Sequence, residues 1–117
     1  MRILVVEPEK APEIRDISGT LESMQQLVGG TIQAIYPFDE PVALICNDEA
    51  KLQGMEMNRI LTEIGDIICG SFFLCGAPFN SESFVSLSEE QLARYSARFK
   101  SIELILTVGN AVFVLEV

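Results

Sequence analysis

The chain has no histidine. That absence removes the usual general base at neutral pH, the commonest metal ligand and every Ser-His or Cys-His nucleophilic arrangement. Cysteine is scarce: Cys46, Cys69 and Cys75 are an odd number and include no C-x-x-C pair. Three scattered thiols do not supply the ligand set that zinc needs, so no metal is expected. Each lies in an apolar stretch and reads as a reduced core residue. Long hydrophobic runs are also missing. The first, Ile3-Leu4-Val5-Val6, is cut by Glu7 and is too short for a signal peptide or a membrane span, which makes the cytoplasm the expected location. Glycine-rich phosphate loops are absent as well. Val28-Gly29-Gly30-Thr31 leaves a helix where a P-loop or dinucleotide fingerprint would open one, so no cofactor is expected.

Positive charge is the other shortage. Eight basic residues stand against seventeen acidic ones, a formal net charge of −9. That balance opposes nonspecific attraction to nucleic acid or to an anionic membrane. The hydrophobic fraction, by contrast, is 49%, which excludes a disordered chain, and 117 residues suit one hydrophobic core. A single domain over residues 1–117 is expected.

The local patterns predict an α+β fold, a small and mostly antiparallel sheet with two helices packed on it. Strands are expected at 2–7, 13–17, 31–36 and 42–46, each rich in branched or alternating apolar residues and bounded by turn formers. Thr20 is the N-cap of a first helix in which Leu21, Met24, Leu27 and Val28 recur at helical spacing, and Gly29-Gly30 ends it. The stretch 52–59 lacks clean periodicity and is expected to be a surface connection. Residues 66–75, apolar with Gly70 near the middle, read as two short strands or one strand bent at a bulge. Ser88-Glu89-Glu90-Gln91 has the capping-box form and opens a second helix carrying Leu92, Tyr95 and Phe99 on one stripe. Segments 104–108 and 111–115, separated by Gly109-Asn110, are expected to form a hairpin.

Candidate chemistry is confined to a few polar groups. Asn58-Arg59 places an amide beside a guanidinium whose planar fork of donors suits phosphate or carboxylate. With the 47–54 loop, through Asn47 and Lys51, these residues form the expected ligand site. Arg94 and Arg98, four apart on one helical face beside Tyr95, form a second anion cluster. The acidic pairs Asp39-Glu40, Asp48-Glu49 and Glu89-Glu90 read as solvated carboxylates.

The string L-E-S-M-Q-Q-L-V-G-G-T-I at 21–32, followed by N-D-E-A-K-L-Q-G at 47–54, Asn58-Arg59 and the Gly65 to Gly70 segment, resembles a family of small proteins of unknown function. That family occurs in bacteriophages, plasmids and their Firmicute and actinobacterial hosts. The similarity runs from Leu4 to Tyr95. Ala50 stands where the family often has glycine, and Glu56 where it often has proline. The resemblance implies a mobile-element setting and carries no enzyme activity with it. Together these readings predict a non-enzymatic, phage-type binding protein in the host cytoplasm. It would act as a homo-oligomer that sequesters a small anionic ligand, a nucleotide immune signal such as a cyclic nucleotide or an ADP-ribose derivative. The alternative is an acidic protein-protein inhibitor or DNA mimic that blocks a host protein.

Overall fold

A computed structural model describes residues 1–117, and its element order is strand-rich with two helices. The strands β1 (Arg2–Val6), β2 (Glu13–Asp16), β3 (Ile32–Ile35), β4 (Val42–Asn47) and β7 (Phe72–Gly76) make one five-stranded sheet in the order β2-β1-β7-β4-β3. Every pairing in it is antiparallel. The ribbon β5 (Met57–Leu61) with β6 (Asp66–Cys69), and the ribbon β8 (Glu103–Val108) with β9 (Ala111–Glu116), form two separate two-stranded sheets. The α+β class and the antiparallel sheet are those predicted from the residues.

The three inner strands are apolar on both faces because the sheet is covered on both. Successive side chains of a strand point to opposite sides. Ile3, Val5, Ala43, Ile45, Phe73 and Cys75 therefore meet Met24 and Val28 of α1 (Leu21–Val28) on one face. Leu4, Val6, Leu44, Phe72 and Leu74 meet Leu92, Tyr95 and Phe99 of α2 (Glu89–Arg98), with Leu61 and Ile68 of the β5-β6 ribbon, on the other. Each large side chain buried this way contributes about 1.5–3 kcal/mol. The helices thus sit on opposite faces of one central layer.

Local chemistry sets the helix ends. The Thr20 hydroxyl accepts from the Ser23 N–H, and Gly29 takes the left-handed conformation at φ 79° that the exit requires. At α2 the Ser88 hydroxyl and the Gln91 side chain satisfy each other's backbone donors, the capping box the sequence contains. No helix is long and apolar enough to cross a membrane.

One feature departs from the residue patterns, and one open reading is resolved. The stretch 52–59, expected as a surface connection, is exposed at 52–54 and Glu56, but Met57 starts β5, and Asn58 and Arg59 are fully buried. Polar residues at inward positions disguised the strand. The apolar stretch 66–75 is two strands that enter different sheets, parted at Gly70, whose φ is 74°. A Cβ at Gly70 would stand 2.9 Å from the Met55 sulfur, so a side chain there would have to displace Met55 as well as hold a left-handed backbone.

Candidate functional site

The four residues of the expected ligand site do not converge. Asn47 ends β4 and is 4% exposed. Its Nδ2 donates to the Val28 carbonyl at 3.2 Å and its Oδ1 accepts from the Glu49 N–H at 2.7 Å. The side chain therefore brackets the end of α1 to the turn after β4. Lys51 lies on that turn, exposed, and its Nζ pairs with Asp66 at 2.5 Å. Beside it is a cavity of about 150 Å³ whose polar lining includes Asp48, Glu49, Lys51 and Asp66. Three carboxylates against one ammonium repel an anion. The space is also smaller than the roughly 300–1,000 Å³ of typical small-molecule sites.

Cys46 and Cys69 line the same cavity. Burial pushes the Cys46 thiol up to about 11, with Asp48 and Asp66 adding to the effect. Burial raises Cys69 too. Both are thus protonated at neutral pH and poor nucleophiles. No group of three or more cysteine, aspartate or glutamate side chains stands where it could hold a metal ion.

Asn58 and Arg59 are fully buried and line none of the clefts. Asn58 Nδ2 donates to the carbonyls of Val6 and Gly70, both at 2.9 Å. Arg59 Nη1 donates to Asn58 Oδ1 at 2.8 Å, and Nη2 donates to the carbonyls of Lys10 at 2.8 Å and Phe99 at 3.2 Å. Only Nε has no partner. This arginine is a strut that ties the β1–β2 loop, β5 and the carbonyl of Phe99, the C-cap of α2, together. Burial lowers its pKa, opposed by the charge of Glu103.

The second pair does converge. Arg94 and Arg98 project from successive turns of α2 into an open cleft of about 530 Å³, lined also by Pro37, Phe38, Tyr95 and three carboxylates, Asp39, Glu40 and Glu63. Arg94 Nη2 donates to both Glu40 oxygens, at 2.7 and 2.5 Å. Arg98 grips Glu63 through Nε at 3.0 Å and Nη2 at 2.8 Å. Each guanidinium also stands near an aromatic ring, Arg94 at 5.5 Å from the Tyr95 centroid and Arg98 at 4.7 Å from that of Phe99.

The carboxylates are tuned by these partners. Arg98 holds Glu63 below the usual carboxylate range, against a smaller opposing effect of burial. At Glu40 burial pushes the other way, but hydrogen bonds from Gln91 and Tyr95 and the charge of Arg94 together outweigh it and lower the carboxyl. Tyr95 is pushed up to about 12, first by burial and then by its hydrogen bond to Glu40. The cleft is therefore a mixed-charge surface, ionised at neutral pH, in which two planar donor forks are held at fixed spacing. Arg94 and Arg98 were legible as a helical i,i+4 pair. Glu40 and Glu63 were not, because each is brought to the helix from a distant segment.

The family model described as a domain of unknown function, DUF3846, matches residues 1–100, and the chain belongs to that family. No curated protein matches the chain, and neither does any solved structure. The β8-β9 ribbon lies beyond the matched residues.

Proposed function

We propose that this member of the DUF3846 family is a non-enzymatic binding protein that captures a small anionic ligand on the α2 cleft. The observation that carries the reading is the convergence of Arg94 and Arg98 in one concave surface of about 530 Å³. Guanidinium forks suit phosphate oxygens bidentately. Both forks already hold carboxylates, so an incoming phosphate has to exchange with Glu40 and Glu63. The Phe38 ring offers it an apolar edge. A nucleotide immune signal, either a cyclic nucleotide or an ADP-ribose derivative, has the phosphates and the size that this surface suits.

Several features favour holding over turnover. The cleft carboxylates are held in the ionised form, so neither is a ready general acid at neutral pH. The thiols are raised by burial and lie elsewhere.

Thermal melting in the presence of pyrophosphate, AMP, cyclic dinucleotides and ADP-ribose tests the reading, because a ligand bound only to the folded state raises Tm. At least one ligand should raise Tm for the native chain, and the Arg94→Ala/Arg98→Ala variant should lose that rise. An equal rise in the variant, or none in either protein, rejects the cleft.

A second reading is an acidic inhibitor that occupies a basic site on a host protein. It is favoured by Asp48, Glu49 and Asp66 surrounding one cavity in a chain of net charge −9. Such binding would weaken steeply with salt, and alanine at Asp48 and Glu49 would abolish it.

A further inference from the structure

The loop that follows β7 is held in shape by its own hydrogen bonds. Gly76 and Val85 exchange backbone bonds at 2.8 and 2.9 Å, so residues 77–84 leave the sheet and return to it at one point. That closure needs glycine: a Cβ at Gly76 would stand 2.6 Å from Val85 Cγ2 and 2.9 Å from the Ser86 carbonyl oxygen. Within the loop the Ser81 N–H donates to the Pro78 carbonyl, a turn that sets Phe79 at its tip. The Ser81 hydroxyl accepts from the Ser83 N–H at 3.1 Å and donates to the Ser83 carbonyl at 3.3 Å. Phe84 packs against the core under α1 and roots the loop. Phe79 is left 92% exposed, and Tyr36, just past β3, is 63% exposed.

Tyr36, Phe79 and Phe84 line one cavity of about 350 Å³, together with Pro78 and Glu82. Its chemistry is one-sided, with three aromatic side chains, one carboxylate and no basic residue. Glu82 makes no ion pair with any lysine or arginine of the chain. The arginines that stand over rings do so at Tyr95 and Phe99, so the π systems around this cavity hold no cation from the protein.

From this arrangement we infer that the 77–84 loop and Tyr36 form a binding site for a quaternary ammonium group, a trimethylammonium cation carried by a small molecule. The quadrupole of an aromatic ring attracts a cation over its face, and the Glu82 carboxylate adds a preference of the same sign. An anion finds no donor fork here. Hydrogen bonding then selects the kind of cation. A primary ammonium or a guanidinium gives up water from several N–H groups and needs acceptors in exchange. Glu82 can meet only part of that need, and the Ser81 hydroxyl is already committed within the loop. A cation with methyl groups in place of N–H has no such loss, and its methyls gain apolar contact with the rings and Pro78. The volume lies within the roughly 300–1,000 Å³ of small-molecule sites. No lining residue is shared with the α2 cleft, so this site stands or falls separately from the anion reading.

Proton NMR titration of the full chain with tetramethylammonium and with choline tests the site. The methyl resonance should move upfield in the ring currents and saturate. The uncharged isostere of choline, with a tert-butyl group in place of trimethylammonium, should bind about 5-fold more weakly or worse. Phe79→Leu and Tyr36→Leu keep an apolar side chain but lose the π system, and each should weaken choline binding about 5-fold. The Phe79 side chain is too exposed for that change to unfold the chain. Glu82→Gln should weaken binding by a smaller factor and flatten its salt dependence. Cosedimentation with phosphatidylcholine vesicles separates the free cation from the lipid headgroup, and the chain should stay in the supernatant. No saturating shift at tens of millimolar, equal binding of the uncharged isostere, native affinity in both leucine variants, or capture by vesicles without binding of choline would each overturn the inference.

Discussion

Arg59 and Asn58 are neighbours in one strand, yet their side chains meet at 2.8 Å inside the protein. Adjacent strand residues normally face opposite sides of a sheet. Here the register slips between Met57 and Arg59, so that Asn58 is an extra residue in the ladder and the two side chains turn toward each other. The pair then gathers carbonyls from Val6, Lys10, Gly70 and Phe99. What resembles an anion-binding dipeptide in one dimension is an internal tie in three.

Removing that tie should be costly. Arg59→Ala orphans the Lys10 and Phe99 carbonyls and opens a cavity, for an expected loss of about 3–5 kcal/mol. Asn58→Ala should cost about 2–3 kcal/mol by the same mechanism. Urea unfolding measures both. A loss below about 0.5 kcal/mol for Arg59→Ala, the range of ordinary surface changes, would contradict the strut.

Gly30 is the second sensitive position. A Cβ there would stand 2.8 Å from Asn47 Nδ2, and Asn47 cannot retreat without losing its bond to Val28. Gly30→Ala should therefore destabilise by about 1–3 kcal/mol, although alanine is ordinarily the better residue for chain entropy. In the Asn47→Ala background the added cost of Gly30→Ala should shrink, and a double-mutant cycle reads that coupling.

The pH response follows from the lowered carboxyls. Arg98 depresses Glu63 below its ordinary 4.5 in the folded state. The pair's stabilisation is thus complete above about pH 4.5 and is lost as pH falls through the depressed folded value. Glu63→Gln should lower stability slightly at pH 6, by about 1 kcal/mol or less for a half-buried surface pair. The difference from the native chain should shrink as pH falls below about 4.5. A gap that widens on acidification would reverse the assignment.

The thiols should be silent in the folded protein. Burial pushes Cys75 up to about 12 and Cys46 to about 11. Ellman's reagent at pH 8 should react slowly with the native chain, with Cys75 last, and rapidly with all three once the chain is unfolded in guanidinium. Prompt reaction of Cys75 in the native state would mean that the central sheet opens far more often than its burial implies.

Signals that act over a few residues were legible. The Ser88–Gln91 capping box, the Thr20 cap, the Gly29 exit and the turn at Gly109-Asn110 each need only neighbours in the chain, and each stands in the structure where the residues place it. The Arg94–Arg98 pair was visible for the same reason, since helical spacing alone puts both on one face. β5 was not visible. Its inward positions carry Asn58 and Arg59 where hydrocarbon is expected, and their partners lie 12 to 52 residues away. The separation of β6 from β7 was one of two readings left open, because both readings of an apolar stretch around Gly70 satisfy the local rules.

The amino-acid order alone determined the class of the fold, its helix ends, its acidity and the absence of imidazole chemistry. These depend on composition and on contacts a few residues apart. Only the tertiary structure decided which arginines face solvent. A guanidinium can be buried only where carbonyls from distant segments replace its water. No pattern along the chain records that the β1–β2 loop and the residue capping α2 bring those carbonyls to Arg59 and leave Arg94 and Arg98 in the open.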